Sequence, residues 1–101
     1  MNEHINGDAI PPIDLDSRPA LRPHVRFRPD PVRGGWVVLA PERILTPNEW
    51  ASDLIRLCDG QRTVADIAAQ LAETYDAEAG TIAGDIVPVL QGLADAGVLK
   101  P

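Results

Sequence analysis

The hydrophobic repeat of this chain changes once, at Thr46-Pro47. Before that point, apolar residues alternate with polar ones or form a short continuous run, which is typical of β-strands. After it, apolar residues recur every three or four positions, as on the buried face of an α-helix. The 101 residues are enough for one hydrophobic core. The sequence therefore predicts one α+β domain in which a sheet precedes the helices.

Three short strands are predicted before the change of repeat. His24–Arg28 alternates apolar and polar residues, whereas Trp36–Ala40 is apolar on both faces. The segment 29–35 between them contains proline, aspartate and two adjacent glycines, which favour a hairpin turn. Arg43–Leu45 is long enough for a third strand and has prolines on both sides. We expect a three-stranded antiparallel sheet with this third strand on an edge.

Three helices are predicted after it. Thr46-Pro47-Asn48-Glu49 has the pattern of a capping box with a Thr N-cap, so the first helix should run from Pro47 to about Cys58. The second should begin after an N-cap at Thr63, and the third should span Thr81–Ala96 with Pro88 inside it. The predicted apolar stripes of the three helices are, in order, Trp50, Leu54, Leu57 and Cys58; Val64, Ile67, Ala68, Leu71 and Tyr75; and Ile82, Ile86, Val89, Leu90 and Leu93. Three helices beside a small sheet have the outline of a winged helix-turn-helix.

Residues 1–16 fit neither repeat and contain only isolated apolar side chains among Asn, Asp, Gly and Pro. We expect a disordered tail or linker there and a folded domain over residues 17–101. No run approaches the roughly 20 apolar residues that span a bilayer, and the first residues lack the pattern of a secretory signal. A cytoplasmic protein without a membrane partner is expected.

No set of residues has the spacing of a catalytic or metal site. His4 and His24 lack a second ligand at helical spacing, and a single cysteine, Cys58, rules out a disulfide within the chain and a four-thiolate metal site. Cys58 also falls on a predicted buried face, where a cysteine usually acts as a small core residue. The sequence therefore predicts a non-catalytic protein without metal or cofactor.

Charge is divided between the two halves of the chain, whose net charge is −6. Residues 17–45 contain six arginines and two acidic residues, whereas residues 51–101 contain three basic and eight acidic ones. A winged-helix regulator that binds DNA is the alternative function, but its third helix would have no basic residue and only Gln91 to contact bases. We therefore expect no nucleic-acid partner. A structural subunit that stabilises a partner enzyme is a third interpretation.

The predicted edge strand has two interpretations, because Ile44 and Leu45 are apolar. In one, Leu45 only packs beneath the first helix. In the other, a peptide pairs with the exposed edge and inserts side chains into a crevice between this strand and the third helix. The residues themselves do not favour either.

Several short motifs together resemble a known family. They are Trp36-Val37-Val38-Leu39-Ala40-Pro41-Glu42-Arg43, Leu57-Cys58-Asp59-Gly60 followed by Thr63-Val64, then Ile67, Leu71 and Tyr75, and Asp85-Ile86 before Leu90 and Leu93. Over about residues 19–99 this pattern resembles the PqqD family, coenzyme PQQ synthesis protein D. The resemblance implies a peptide chaperone of pyrroloquinoline quinone biosynthesis. Such a protein binds the precursor peptide PqqA by strand addition and presents it to the radical S-adenosylmethionine enzyme PqqE. Fusion to, or association with, the oxidase PqqC is also implied.

The resemblance also implies where the peptide lies. In related recognition domains the peptide runs along the third strand, beside the third helix. Carried onto this chain, the peptide contacts are Arg43, Ile44 and Leu45 of the strand and Ile82, Asp85, Ile86 and Val89 of the helix. The arginine-rich half would suit a precursor that carries glutamates. A monomer and a dimer with exchanged elements are both compatible with such an edge.

Overall fold

The computed structural model describes residues 12–101 and has the predicted order of three strands followed by three helices, with a second, smaller sheet added. The elements in chain order are β1 (Ala20–Leu21), β2 (Arg26–Pro29), β3 (Trp36–Ala40), β4 (Arg43–Leu45), α1 (Glu49–Arg56), α2 (Val64–Tyr75), α3 (Ala79–Asp95) and β5 (Leu99–Lys100). The α+β prediction is confirmed.

The main sheet has the antiparallel order β2-β3-β4. The predicted bounds of β3 and β4 are confirmed, and the two glycines of the β2–β3 turn, Gly34 and Gly35, have φ of 80° and 72°. The first predicted strand begins too early. The N–H of Val25 donates to the carbonyl of Arg22 (2.9 Å), which closes a turn, so pairing starts only at Arg26.

The predicted start of the first helix is wrong by two residues. Asn48, and not Thr46, is the N-cap of α1, because its side-chain oxygen accepts the N–H of Ala51 at 2.8 Å. Asparagine is the stronger N-cap of the two residue types. Thr46 and Pro47 instead connect β4 to the helix, and α1 ends at Arg56.

The predicted start of the second helix is confirmed. Thr63 Oγ1 accepts the N–H of Asp66, and the Asp66 carboxylate accepts the N–H of Thr63, both at 3.1 Å. The predicted burial of Tyr75 is wrong. Its side chain is exposed because the hydroxyl donates to the carboxylate of Asp53 on α1.

The third helix begins two residues earlier than predicted and continues through Pro88. Ile82, Ile86 and Leu90 of its predicted stripe are buried, whereas Val89 is 37% exposed. Gly97, with φ of 82°, follows the end of α3 and lets the chain return into the core.

The returning chain forms a two-stranded sheet that the sequence did not predict. β5 pairs with β1 through Leu99 and Leu21. Just before β1, Ile13 is 5% exposed, and its N–H donates to Gln91 Oε1 of α3 at 2.8 Å. The packed unit therefore extends upstream of the predicted boundary at residue 16, and residues 1–11 of the predicted tail lie outside the described residues.

The core lies between one face of the main sheet and the three helices. Its largest fully buried apolar side chains are Val38, Leu54, Val64, Ile67, Leu71, Ile86, Leu90, Val98 and Leu99. Every layer contributes to it, which fixes the helices against that face of the sheet. Within residues 12–101, no helix has the length and hydropathy needed to cross a membrane.

Candidate functional site

The outer edge of β4 presents free backbone groups. Ala40 and Arg43 face each other across a two-residue loop, and such a closing pair exchanges hydrogen bonds. Hydrogen-bonded and non-hydrogen-bonded pairs alternate along an antiparallel ladder. Leu45 is therefore bonded to Val38, whereas the N–H and C=O of Ile44 point away from β3.

The neighbouring strand supports this alternation. On the other side of β3 the same alternation makes Leu39–Arg26 and Val37–Arg28 hydrogen-bonded pairs. The pair of Trp36 with Pro29 is then a non-hydrogen-bonded one. That position suits a residue without an N–H. β4 is the last strand of its sheet, and among the described residues no backbone hydrogen bond beyond the β3 ladder involves Ile44. Its edge can accept another strand.

An apolar groove of about 260 Å³ lies beside this edge, on the helix-facing side of the sheet. Val38 forms its floor and is fully buried. The groove is lined by Val38, Leu45, Thr46, Pro47, Ala51, Ile55, Val89 and Leu93. β4, α1 and α3 thus all contribute to its lining, and Thr46 is the polar lining residue. It occupies the place where the sequence predicted a crevice.

The site residues predicted on α3 divide into two groups. Val89 lines the groove. Asp85 is exposed one turn earlier, and the i,i+4 spacing places both residues on the same side of the helix. Ile82 is 6% exposed and Ile86 is fully buried, so both belong to the core behind the groove.

Of the three predicted residues of β4, Arg43 and Leu45 share the helix-facing side of the sheet and Ile44 lies on the other. Leu45 is half-buried, packs against the core as one interpretation expected, and also lines the groove. Ile44 is 68% exposed and faces the opposite side of the sheet. Arg43 is exposed and lines a separate hollow of about 220 Å³ beside Ala96 and Gly97, just beyond α3.

The sequence reasoning missed the contribution of α1 to the groove. Ala51 and Ile55 line it but were not on the predicted stripe of the first helix. Their i,i+4 spacing was the available signal. Leu93 was placed on the α3 stripe but not in the site, although it lies four residues after Val89.

The arginines of the sheet half are free of ion pairs to described residues. The ion pairs that the structure records between described residues, Arg56–Asp53 (2.9 Å) and Arg62–Asp59 (2.7 Å), both lie in the helical half. Backbone N–H donors lower the pKa of Asp59, chiefly that of Arg62, so this carboxylate stays charged. The positive and negative halves predicted from the sequence are therefore both present on the surface.

A second hollow, of about 430 Å³, lies by Trp36 at the start of β3. The rings of Trp36 and Phe27 stack at 4.7 Å, and the Arg56 guanidinium lies 4.8 Å from the centre of the Trp36 ring. Asp53 holds Arg56 and accepts from Tyr75, and this hydrogen bond raises the pKa of Tyr75 to about 12. The polar groups of this cluster are paired with one another, so the cluster connects the sheet to α1 and α2.

Cys58 lies in the core, as predicted. Burial raises the pKa of its thiol to about 12, with a smaller contribution from Asp59. The Sγ–H donates to the carbonyl of Leu54 at 3.3 Å. Within residues 12–101, no group of three or more His, Cys, Asp or Glu side chains is arranged to hold a metal ion.

Proteins related in sequence are known. The family model for Coenzyme PQQ synthesis protein D (PqqD) matches residues 35–99. A protein named PqqA binding protein, from Rhodopseudomonas palustris strain BisB5, is 49% identical over 83 residues, which are 82% of this chain and 81% of that protein. One of the same name from Xanthomonas axonopodis pv. citri strain 306 is 40% identical over 88 residues, which are 87% and 96% of the two chains.

Two solved structures are also similar. One is the solution NMR structure of the PqqD truncation of Methylobacterium extorquens PqqCD, described as a functional, stand-alone recognition element for ribosomally synthesised and post-translationally modified peptides. It is 41% identical, with a TM-score of 0.73, over 95% of this chain and 99% of that one. The other, the crystal structure of PqqD from Xanthomonas campestris, is 38% identical, with a TM-score of 0.51, over 83% and 93% of the two chains.

Proposed function

The chain belongs to the PqqD family, coenzyme PQQ synthesis protein D, and on that premise we propose that it recognises the precursor peptide PqqA in pyrroloquinoline quinone biosynthesis. A relative that is 49% identical over 83 residues is named for binding PqqA, and a structure that is 41% identical to this chain is described as a peptide recognition element. The observation that carries the proposal is the open edge of β4 beside an apolar groove.

Strand addition is the proposed mode of binding. An extended segment of PqqA pairs with β4, and the outward N–H and C=O of Ile44 supply its first two backbone hydrogen bonds. Successive side chains of a strand point to opposite faces, so every second peptide side chain turns toward the helices. There it enters the groove between Leu45 and Val89.

One apolar side chain in the groove contributes about as much binding free energy as the two outward hydrogen bonds of Ile44 together. Burying one aliphatic side chain contributes about 2 kcal/mol, and each backbone hydrogen bond between the peptide and β4 contributes about 1 kcal/mol net. β4 has only three residues, which limits the number of ladder bonds. The apolar side chains that enter the groove therefore select the peptide sequence, and the ladder fixes its register.

The remaining predicted contacts have supporting roles in this proposal. Arg43 stands beside the end of α3 and attracts acidic residues of the peptide, while Asp85 flanks Val89 at the exposed rim. Ile82 and Ile86 support the groove from the core without touching the peptide, since both are buried.

Presentation of the bound peptide to PqqE is the proposed purpose of binding. A peptide added to the sheet edge keeps its far backbone edge and its flanking residues accessible. This protein holds the peptide and leaves the chemistry to that enzyme. PqqC is a further proposed partner, because the similar recognition element from Methylobacterium extorquens was cut from a PqqCD protein.

Isothermal titration calorimetry with synthetic PqqA tests the proposal. We expect saturable binding with one peptide per chain. The matched control is a peptide of the same composition in scrambled order, which should give no saturable heat. Equal heats from both peptides, or none from either, would exclude PqqA recognition by this chain.

A further inference from the structure

The main sheet has a second face that the helices do not cover. Residues that pair across an antiparallel sheet share a face, so Val38 and Leu45 point toward the helices, whereas Leu39 and Ile44 point away. Val37 lies on the same outward side, two residues before Leu39. We call this the outer sheet face, and it consists of Arg26, Arg28, Val37, Leu39 and Ile44, with Val32 and Arg33 from the β2–β3 turn.

This face exposes large apolar side chains next to each other. Val32 is 90% exposed and Ile44 is 68% exposed, more than any other large apolar side chain of the described residues. Both line one hollow of about 360 Å³, together with Val37, which is buried, and Leu39, which is half-buried. Adjacent exposed apolar residues around a concavity are typical of an interaction site, because leaving them in water has a free-energy cost.

Arginines border this apolar strip. Arg26 lies opposite Leu39 and Arg28 opposite Val37 in the sheet register, and Arg33 lines the same hollow. The acidic lining residue is Asp30, whose carboxylate accepts the N–H groups of Val32 (2.9 Å) and Arg33 (3.2 Å). The strip thus fits a partner with an apolar patch and an acidic border, and exposed arginines are favoured in such contacts.

We infer that the outer sheet face docks the enzyme that modifies the bound peptide, through an apolar patch with an acidic border on that enzyme. The inference rests on the proposed function and deepens it. A peptide added at β4 extends the sheet sideways and fills the groove on the helix side, so the outer sheet face stays free. Ile44 belongs to both surfaces: its backbone faces the peptide and its side chain faces the enzyme. Peptide and enzyme therefore bind at the same time, on adjoining surfaces.

Two variants test the inference against the proposed function. Val32→Asp and Arg28→Glu each reverse the chemistry of the outer sheet face at an exposed position. The matched control is Leu15→Asp, which makes the same apolar-to-acidic change at a residue that is 49% exposed and whose carbonyl accepts the N–H of Ala65 on α2. Each protein is first titrated with PqqA and then, saturated with PqqA, titrated into purified PqqE.

We expect both variants to bind PqqA within about twofold of the wild type and to bind PqqE at least about tenfold more weakly, while Leu15→Asp matches the wild type in both titrations. PqqE affinity unchanged in both variants would overturn the inference. Loss of PqqA binding in them would place the peptide on this face and would also overturn it. A wild-type dimer that Val32→Asp converts to a monomer, measured by sedimentation, would assign the face to a second copy instead. Failure of the wild type to bind PqqA refutes the proposed function itself.

Discussion

Replacing Ile44 with proline removes one backbone donor from the open edge of β4. The N–H of Ile44 points away from β3, so the substitution deletes no hydrogen bond of the folded protein. Proline is tolerated on edge strands where the N–H faces solvent, and the Ile44 side chain is 68% exposed. Ile44→Pro should therefore leave the fold and most of its stability intact.

Peptide binding should suffer strongly from the same change. The lost hydrogen bond is worth about 1 kcal/mol, and the peptide carbonyl that it leaves without a donor costs at least about 1 kcal/mol more. Together these correspond to a rise of roughly thirtyfold in the Kd for PqqA. Ile44→Ala is the control, because it shortens the side chain and keeps the N–H, and its Kd should stay within about twofold.

Calorimetry with PqqA measures both affinities, and thermal unfolding followed by circular dichroism checks the fold. Leu45→Pro provides a contrast, since Leu45 is bonded to Val38 and packs against the core, and it should lower the Tm. If Ile44→Pro binds PqqA as tightly as the wild type does, the peptide does not pair with this edge.

Four further predictions follow from the groove and from the helices. Val89→Asp should raise the Kd for PqqA by about tenfold or more in calorimetry, because it places a charge in an apolar groove; an unchanged Kd would remove the groove from the site. Thr63→Ala should lower the free energy of unfolding in urea by about 1 kcal/mol, and no change would mean that the capping box is not formed. Pro88→Ala should raise that free energy, since Pro88 is exposed inside α3 and cannot donate to the helix; a decrease would contradict this reasoning. The backbone N–H of Thr63 lowers the pKa of Asp66, and that of Arg62 lowers the pKa of Asp59, both from 3.8. The free energy of unfolding should therefore be level above about pH 5 and fall as the pH drops through the lowered pKa values. Stability that rises on acidification would contradict it.

Local patterns were sufficient to predict most of the fold. The apolar run Trp36–Ala40 and the two-residue loop after it fixed β3 and β4 to the residue, because a strand between turn residues has few alternative registers. The capping box at Thr63 was equally specific, since both of its hydrogen bonds form between residues three apart. A similar motif at Thr46 led to a wrong prediction of the start of α1, because Asn48, two residues later, is the stronger N-cap.

Long-range packing accounts for what the sequence did not reveal. The pairing of β1 with β5 joins chain segments almost eighty residues apart, and β1 has only two residues, too few for a recognisable alternation. The backbone groups of Leu45 face β3 and those of Ile44 face away, and this difference depends on the register of the Ala40–Arg43 pair. From sequence alone both were simply apolar residues on one short strand. The groove wall from α1 was missed for the same reason, as it depends on where that helix lies.

Hydrogen–deuterium exchange at the amide of Ile44 tests the strand-addition proposal most directly. In the free protein this amide has no partner among the described residues and should exchange quickly, unlike that of Leu45. Saturation with PqqA should slow the exchange at Ile44 by well over tenfold while leaving the amides of α2 unchanged. A rate at Ile44 that stays the same when PqqA is bound would contradict pairing of the peptide with β4.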